Sequence, residues 1–435
     1  MVYGQARATV RYFRRVWIGP AAVRQAGGGV NRNGAAMKRF LLMVAVMGTV
    51  TAVCGADITV RGEGASKDAV SLAGLAATGE TGSLFVQTLQ GDLERSGWFK
   101  IDPAGQIRVS GAASARADGL TVSSLVSWPG KRMEWNRSSA AGATEVRRLA
   151  HQLANDMVKH IKGERGIAGT RIVLVSRRGP NNADLFMCDA DGRGLAQITQ
   201  DNVAVVGPKW DRDGQNILYT SYLHKSPTVY RFPATGGRRV PLAKFNGLNT
   251  GAEISPDGRT AVLILALSGN PEVYTLDLAS GAVTRLTQTP HAVEASPAWS
   301  PDGTKVVYVG DASGAPQLYS VDIATRRSRR LTYKGSENVN PDWAANGKIV
   351  YATRRSGGYQ IAVLDPAAGG ESDTPLTSGP DHEDPSWAPD SRHIVCSRAE
   401  GSGRSSLWIL DTQGDSPVRL FPNAGNWMSP DWSDK

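Results

Sequence analysis

From Arg171 onwards the apolar positions come in short continuous runs, not at helical spacing. These runs are Ile172–Val175, Ile217–Tyr219, Val262–Leu265, Val306–Val309, Ile349–Tyr351 and Ile394–Val395. They are rich in β-branched and aromatic residues and too short for helices. Continuous apolarity, without alternation, marks strands covered on both faces. A turn precedes each run after the first. It reads Ser-Pro-Asp-Gly at Ser255–Gly258 and Ser300–Gly303, and is degraded at Asp211–Gly214, Ala344–Gly347 and Ala388–Ser391. Serine first, proline presetting φ at the second position and a closing glycine suit a type I turn. Ahead of the turns stand Trp210, Ile254, Trp299, Trp343, Trp387 and, last, Trp432, spaced by 44, 45, 44, 44 and 45 residues. A second marker, usually Leu-Thr, keeps step at Ile198, Leu242, Leu286, Leu331, Leu376 and Leu420. A period of this size with several short strands per copy predicts a mainly β fold: a C-terminal six-bladed β-propeller, one four-stranded blade per repeat. The tryptophans are expected to pack between blades.

The phase of the repeat carries a further expectation. The first copy opens at Arg171, on the strand after the turn, while the last stops at Asp431-Trp432-Ser433, on the strand before it. If the tryptophan strand is innermost, Met428–Trp432 must complete the blade begun by Arg171–Thr199 and so remove an open sheet edge.

Residues 57–165 follow a different pattern. Leu84, Phe85, Thr88, Leu89 and Leu93 fall at helical spacing within Ser83–Ser96, and Gly97 stops the helix before Trp98–Asp102. A second helix is expected over Thr144–Lys162, with Val146, Leu149, Leu153, Met157 and Ile161 on one face and Gly163 at its C-cap. Between them Ile107–Ser110, Leu120–Ser127 and Met133–Asn136 read as short strands. The expected division is an N-terminal arm over 57–80, partly mobile, a small α/β domain over 81–165, and the propeller over 166–435.

Net charge changes the picture only at the N-terminus. The formal charge is +9, but residues 1–56 hold eight basic residues and no acidic one, leaving +1 for the remainder. A nucleic-acid partner is therefore not expected. Met37-Lys38-Arg39, the apolar stretch Phe40–Val53 and the small residues up to Ala56 read as a secretory signal peptide over 37–56. The apolar stretch is short for a permanent anchor, so no direct membrane insertion is expected. Residues 1–36 read as a basic upstream extension, with translation beginning at Met37. Cys54 leaves with the leader, and Cys188 and Cys396 read as two buried thiols.

No reactive constellation accompanies this scaffold. There is no Gly-x-Ser-x-Gly elbow, His-Glu-x-x-His pair, Walker loop or dinucleotide fingerprint. The Asp-rich turns Asp189–Gly192 and Asp211–Gly214 lack the distal Glu of a calcium loop and fall at repeat turns. No catalytic residue, metal ligand or cofactor is expected. His382-Glu383-Asp384, with His291 and Glu294 in earlier copies, is the densest polar cluster and reads as solvated loop bordering the central opening. Polar loops leading into each tryptophan strand are expected to share one rim, a standard place for recognition.

The chain resembles the TolB family of periplasmic propeller proteins of the Tol–Pal cell-envelope system. The resemblance rests on Asp92-Leu93-x-x-Ser96-Gly97-x-Phe99 with Ile101-Asp102, on Arg147-Arg148-Leu149-Ala150-His151, and on Gly163–Thr170 leading into Arg171–Ser176. An α/β segment ahead of six repeats ending in Pro430-Asp431-Trp432-Ser433 completes it. It implies a periplasmic, monomeric interaction protein without enzymatic activity that maintains outer-membrane integrity and cell division. It also implies a Pal-like outer-membrane lipoprotein on the channel face, near Asn249, His291, Glu294, Glu337, Asn338, His382, Glu383, Asp384 and Asn426. A TolA-like inner-membrane protein is expected on the arm, through Asp57, Ile58, Val60 and Arg61. The sequence departs from the family in two places: the proline-containing apolar strand after the arm is represented only by Ala69-Val70-Ser71-Leu72-Ala73, ahead of a short α/β middle, and the second repeat's histidine-bearing rim loop reads Leu248-Asn249-Thr250. The competing expectation is a propeller hydrolase or lyase, or the regulatory propeller of a peptidase.

Overall fold

The computed structural model describes residues 66–435, apart from 117–118, 141, 180–181, 225, 356, 369, 372–374 and 424. The expected leader and the arm residues Asp57, Ile58, Val60 and Arg61 lie outside the described residues.

The N-terminal segment is a five-stranded sheet carrying two helices. Its strands are β1 (Asp68–Thr78), β2 (Phe99–Ile101), β3 (Ile107–Arg116), β4 (Gly119–Trp128) and β5 (Lys131–Ala140), in spatial order β2-β1-β3-β4-β5. Helices α1 (Gly79–Arg95) and α2 (Gly142–Lys162) pack on it and on each other. The predicted stripes form the core: Phe85, Leu89 and Leu93 of α1 meet Val146, Leu149, Leu153 and Met157 of α2 over Val109, Val122 and Val126.

Two expectations need correcting. The arm drawn over 57–80 overlaps β1, which lies between β2 and β3 and runs parallel to both. Its pattern is hard to read because the pairing slips between Ser71 and Gly74, so strict alternation is lost. Gly74 suits that slip, since a Cβ there would lie 3.0 Å from the Cβ of Ser110. The middle strands are also longer than their apolar cores, because paired Ser, Ala and Arg residues extend the ladder.

Six four-stranded antiparallel sheets form the propeller. In five of them the tryptophan strand, or its Ile254 equivalent, comes first in both sequence and space. These inner strands are Val205–Trp210, Asn249–Ile254, Glu294–Trp299, Glu337–Trp343 and His382–Trp387. The remaining blade joins the two ends of the ring. The last strand, Trp427–Trp432, pairs with Arg171–Gly179, followed by Asn182–Asp189 and Ala196–Gln197. Counting this closing blade as the first, the others follow in chain order.

The Leu-Thr marker has a polar purpose. In four blades the threonine hydroxyl accepts from a backbone N–H of the third strand: Thr199 from Leu185, Thr287 from Val273, Thr332 from Leu318 and Thr377 from Ile361. The same hydroxyls donate to Asp184, Glu272, Gln317 and Gln360 respectively. The short outer strand is thus stitched to its neighbour by a buried hydroxyl that both gives and accepts.

The α/β segment sits on the propeller face formed by the Ser-Pro-Asp-Gly-type turns. Arg392, buried at 3% exposure, bonds Asp411 in bidentate fashion, donates to Gly97 O at 3.0 Å and stacks 4.4 Å over Trp98. Arg147 of α2 adds contacts to Asp189 and Asp191. Gly97 is required here: its φ is +71°, and a Cβ would lie 2.4 Å from the Arg392 guanidinium. The loops leading into the inner strands lie on the opposite face.

Candidate functional site

Each inner strand carries the same interruption three residues before its tryptophan position. Gly207, Gly251, Ser296, Asn340, Asp384 and Ser429 all have φ between 46° and 64°. Proline follows in five of the six, Ala252 being the exception. The ladder slips at each of these points. Six aligned bulges turn the first half of every inner strand and open a vestibule of about 320 Å³ on the loop face.

Deeper in the channel, the residue just before each tryptophan position forms a ring: Lys209, Glu253, Ala298, Asp342, Ser386 and Asp431. Four of these bind the next blade through its backbone N–H. Asp431 accepts from Trp210 at 2.7 Å, Asp342 from Trp387 at 2.7 Å, Ser386 from Trp432 at 3.1 Å and Glu253 from Trp299 at 3.4 Å. Lys209 cannot accept and takes another role. Its Nζ lies 2.8 Å from Asp431 and 3.2 Å from Asp342, which belongs to the blade diametrically opposite. The side chain therefore bars the lumen. Burial opposes its charge, but Asp342, Asp431 and Glu253 outweigh burial and hold its pKa above the ordinary lysine value. Burial pushes Glu253 up to about 7 and raises Asp431, with Lys209 pulling both back. Three carboxylates around one tethered ammonium thus close the inner end of the channel.

The rim residues expected from the sequence divide into two groups. Glu383 and Asp384 line the vestibule, and Glu294 borders it. Asp384 accepts from the hydroxyls of Ser429 at 3.1 Å and Ser397 at 3.4 Å. Burial raises its pKa, offset in part by Ser429, Ser397 and Lys209. His291 stays exposed on its loop.

Of the others, Asn249, Asn338 and Asn426 tie neighbouring blades together, while Glu337 bonds within its own blade. Asn249, Glu294, Asn338 and His382 occupy equivalent positions and are 0%, 1%, 0% and 0% exposed. Glu294 and His382 are therefore not the solvated loop residues that their polarity suggested. Asn249 donates to Pro227 O at 3.1 Å, and Asn338 donates to Gln317 at 2.8 Å, in each case reaching the preceding blade. Glu294 makes the corresponding contact as an acid. Its carboxyl accepts from Thr289 at 2.7 Å and sits against Glu272, and burial with that neighbouring charge lifts its pKa to about 9. Burial and the charge of Arg398 lower His382 to about 4, so it is neutral at pH 7. Glu337 bonds Arg354 and the Tyr359 hydroxyl, while Asn426 holds Ser405 N at 3.0 Å and Arg177 O at 3.1 Å.

Sequence reasoning passed over the bulge and the ring. Their signal was present as a recurring Gly/Ser/Asn/Asp-Pro-x-Trp segment, read only as packing tryptophan plus polar loop. The bar across the lumen had no signal, because Lys209 and Asp342 are paired by ring closure alone.

Comparison with known proteins agrees with this geometry. A family model described as the TolB beta propeller domain matches residues 158–435. The Tol-Pal system protein TolB of Gluconobacter oxydans is 34% identical over 307 residues, covering 68% of this chain and 67% of the relative. That of Bordetella pertussis is 29% identical over 274 residues, covering 58% of this chain and 62% of the relative. The crystal structure of TolB from Acinetobacter baumannii matches with a TM-score of 0.75 over 87% of this chain and 99% of that one. At 24% identity this is a likeness of fold. With well over half its length matched by the family model, the chain belongs to the TolB β-propeller family.

Proposed function

We propose that this protein is a non-catalytic, periplasmic interaction component of a Tol–Pal system, acting in outer-membrane integrity and cell division. The vestibule face receives a Pal-like outer-membrane lipoprotein, and the N-terminal arm from Asp57 to Arg61 engages a TolA-like inner-membrane protein. The observation that carries this reading is the vestibule itself. A rigid ring holds Glu383 and Asp384 at its mouth, on the face turned away from the α/β segment. Pre-organised polar groups on a rigid scaffold favour recognition, because little ordering entropy remains to be lost on binding. Among the described residues no histidine is hydrogen-bonded to a serine, threonine or cysteine side chain, the contact an activated nucleophile uses.

The test is co-purification of the full chain with the Pal-like lipoprotein of the same organism, then with E383K and D384K. The proposal expects a complex that both substitutions weaken at least tenfold. Undiminished binding by both variants would move the partner off the channel face. No complex at all would remove the Tol–Pal reading, as would a deletion strain with no periplasmic leakage or detergent sensitivity.

A further inference from the structure

A second opening, of about 550 Å³, lies between the third and fourth blades. Arg285, Arg326 and Arg330 line it, and comparison of Arg285 and Arg330 with Arg419, at the equivalent position of the sixth blade, shows that they are not equally paired. Arg285, Arg330 and Arg419 each stand on an outer strand opposite an aromatic residue: Tyr274, Tyr319 and Trp408. Arg285 donates to Glu272 at 2.5 Å, and Arg419 lies 3.9 Å from Glu400. At the fourth blade the residue equivalent to Glu272 is Gln317, a neutral amide already engaged by Thr332 and Asn338. Among the described residues the Arg330 side chain therefore donates only to Thr332 O, at 2.6 Å, and spreads its guanidinium 4.9 Å over Tyr333. Among the described residues it has no carboxylate within 4.0 Å. Arg326 extends from a turn with φ of 55° and likewise makes no ion pair among the described residues.

Nearby acids do not offset these charges. Glu272 is taken by Arg285, and Glu294 retains its proton at neutral pH. Asp322 accepts from Thr325 within its own turn. Asp311, whose charge reaches Glu294, accepts from Val293 N, so the groove is left with two cations that make no ion pair among the described residues, above an aromatic floor. That floor is the pair Tyr308 and Tyr319, stacked at 5.7 Å and 22°. Gly310 keeps it open, since a Cβ there would come within 3.3 Å of Tyr319 and 3.4 Å of Tyr308.

We propose that this groove binds an acidic peptide segment of a partner protein, with Arg330 and Arg326 holding its carboxylates and the tyrosine pair supporting its apolar part. Arginine offers a planar fork of donors matched to a carboxylate, and it is only weakly hydrated. Glu294 borders both this groove and the channel vestibule, so a protein seated over the channel can also reach the groove. The inference does not depend on the identity of the channel-face partner.

The test uses the full chain and a fluorescein-labelled peptide, Gly-Asp-Glu-Phe-Asp-Gly, followed by anisotropy at low salt. Binding is expected to weaken at least tenfold in R330E and R326E and to be unchanged in R259E, a charge reversal at an exposed turn outside the groove. The Asn/Gln version of the peptide should not bind. Three results would overturn the proposal: equal binding by wild type and R330E, equal loss in R259E, or complete displacement by an equal concentration of inorganic phosphate. The last would reduce the groove to a general anion site. D384K, which tests the channel face, should leave peptide binding intact.

Discussion

Glu294 is the place where the propeller's repeat breaks its own chemistry, and replacing it by glutamine measures the consequence. At the equivalent position Asn338 reaches back to Gln317, an amide bonding an amide at 2.8 Å. In the blade before, both partners are acids, so the link holds only while one proton stays between Glu294 and Glu272. The folded-state pKa of Glu294, lifted to about 9 by burial and by Glu272, lies well above the ordinary 4.5. The folded protein therefore keeps a proton that the unfolded chain releases above about pH 4.5. Its contribution is fully present below that pH and is lost as pH rises towards about 9. One retained proton limits the slope to about 1.4 kcal/mol per pH unit. In E294Q the amide accepts from Thr289 and donates to Glu272 without any proton to lose. Urea unfolding followed by tryptophan fluorescence at pH 5.5, 6.5, 7.5 and 8.5 reads the difference. The variant should gain on wild type by up to about 1.4 kcal/mol per pH unit, or about 4 kcal/mol across the series. Parallel stability curves for the two proteins, or a gap that narrows with pH, would refute the shared proton.

Three further outcomes follow from the same geometry. Deleting residues 427–435 removes Trp432 from the core and the strand paired with Arg171–Gly179, and it should lower the melting temperature sharply; an unchanged transition in calorimetry would deny that this strand closes the ring. K209M leaves Asp342, Asp431 and Glu253 without their cation and should destabilise by about 3–5 kcal/mol in urea, part of which the added D431N should restore. Finally, Cys188 and Cys396 are free, 1% and 0% exposed, and burial raises both thiol pKa values, so Ellman's reagent should detect neither until the chain unfolds.

What the sequence determined alone was the part governed by short-range periodicity. Six apolar runs, five turns and two markers in step specify six blades, because a blade's strands are neighbours along the chain. The stripes of α1 and α2 were equally plain, since the same leucines and valines that repeat at helical spacing meet in the core. Tertiary structure decided what periodicity cannot express. Polarity at Glu294 and His382 suggested a solvated rim, yet the closed ring buries these side chains. Strand β1 showed only as the short run Ala69–Ala73 that the resemblance singled out, because a bulge at Ser71–Gly74 destroys its alternation, and only the flanking strands supply its register. Lys209 became the bar of the channel because ring closure brings Asp342, 133 residues away, to within 3.2 Å of it. A repeat tells each blade how to fold; which side chains face each other across the axis depends on where the circle shuts.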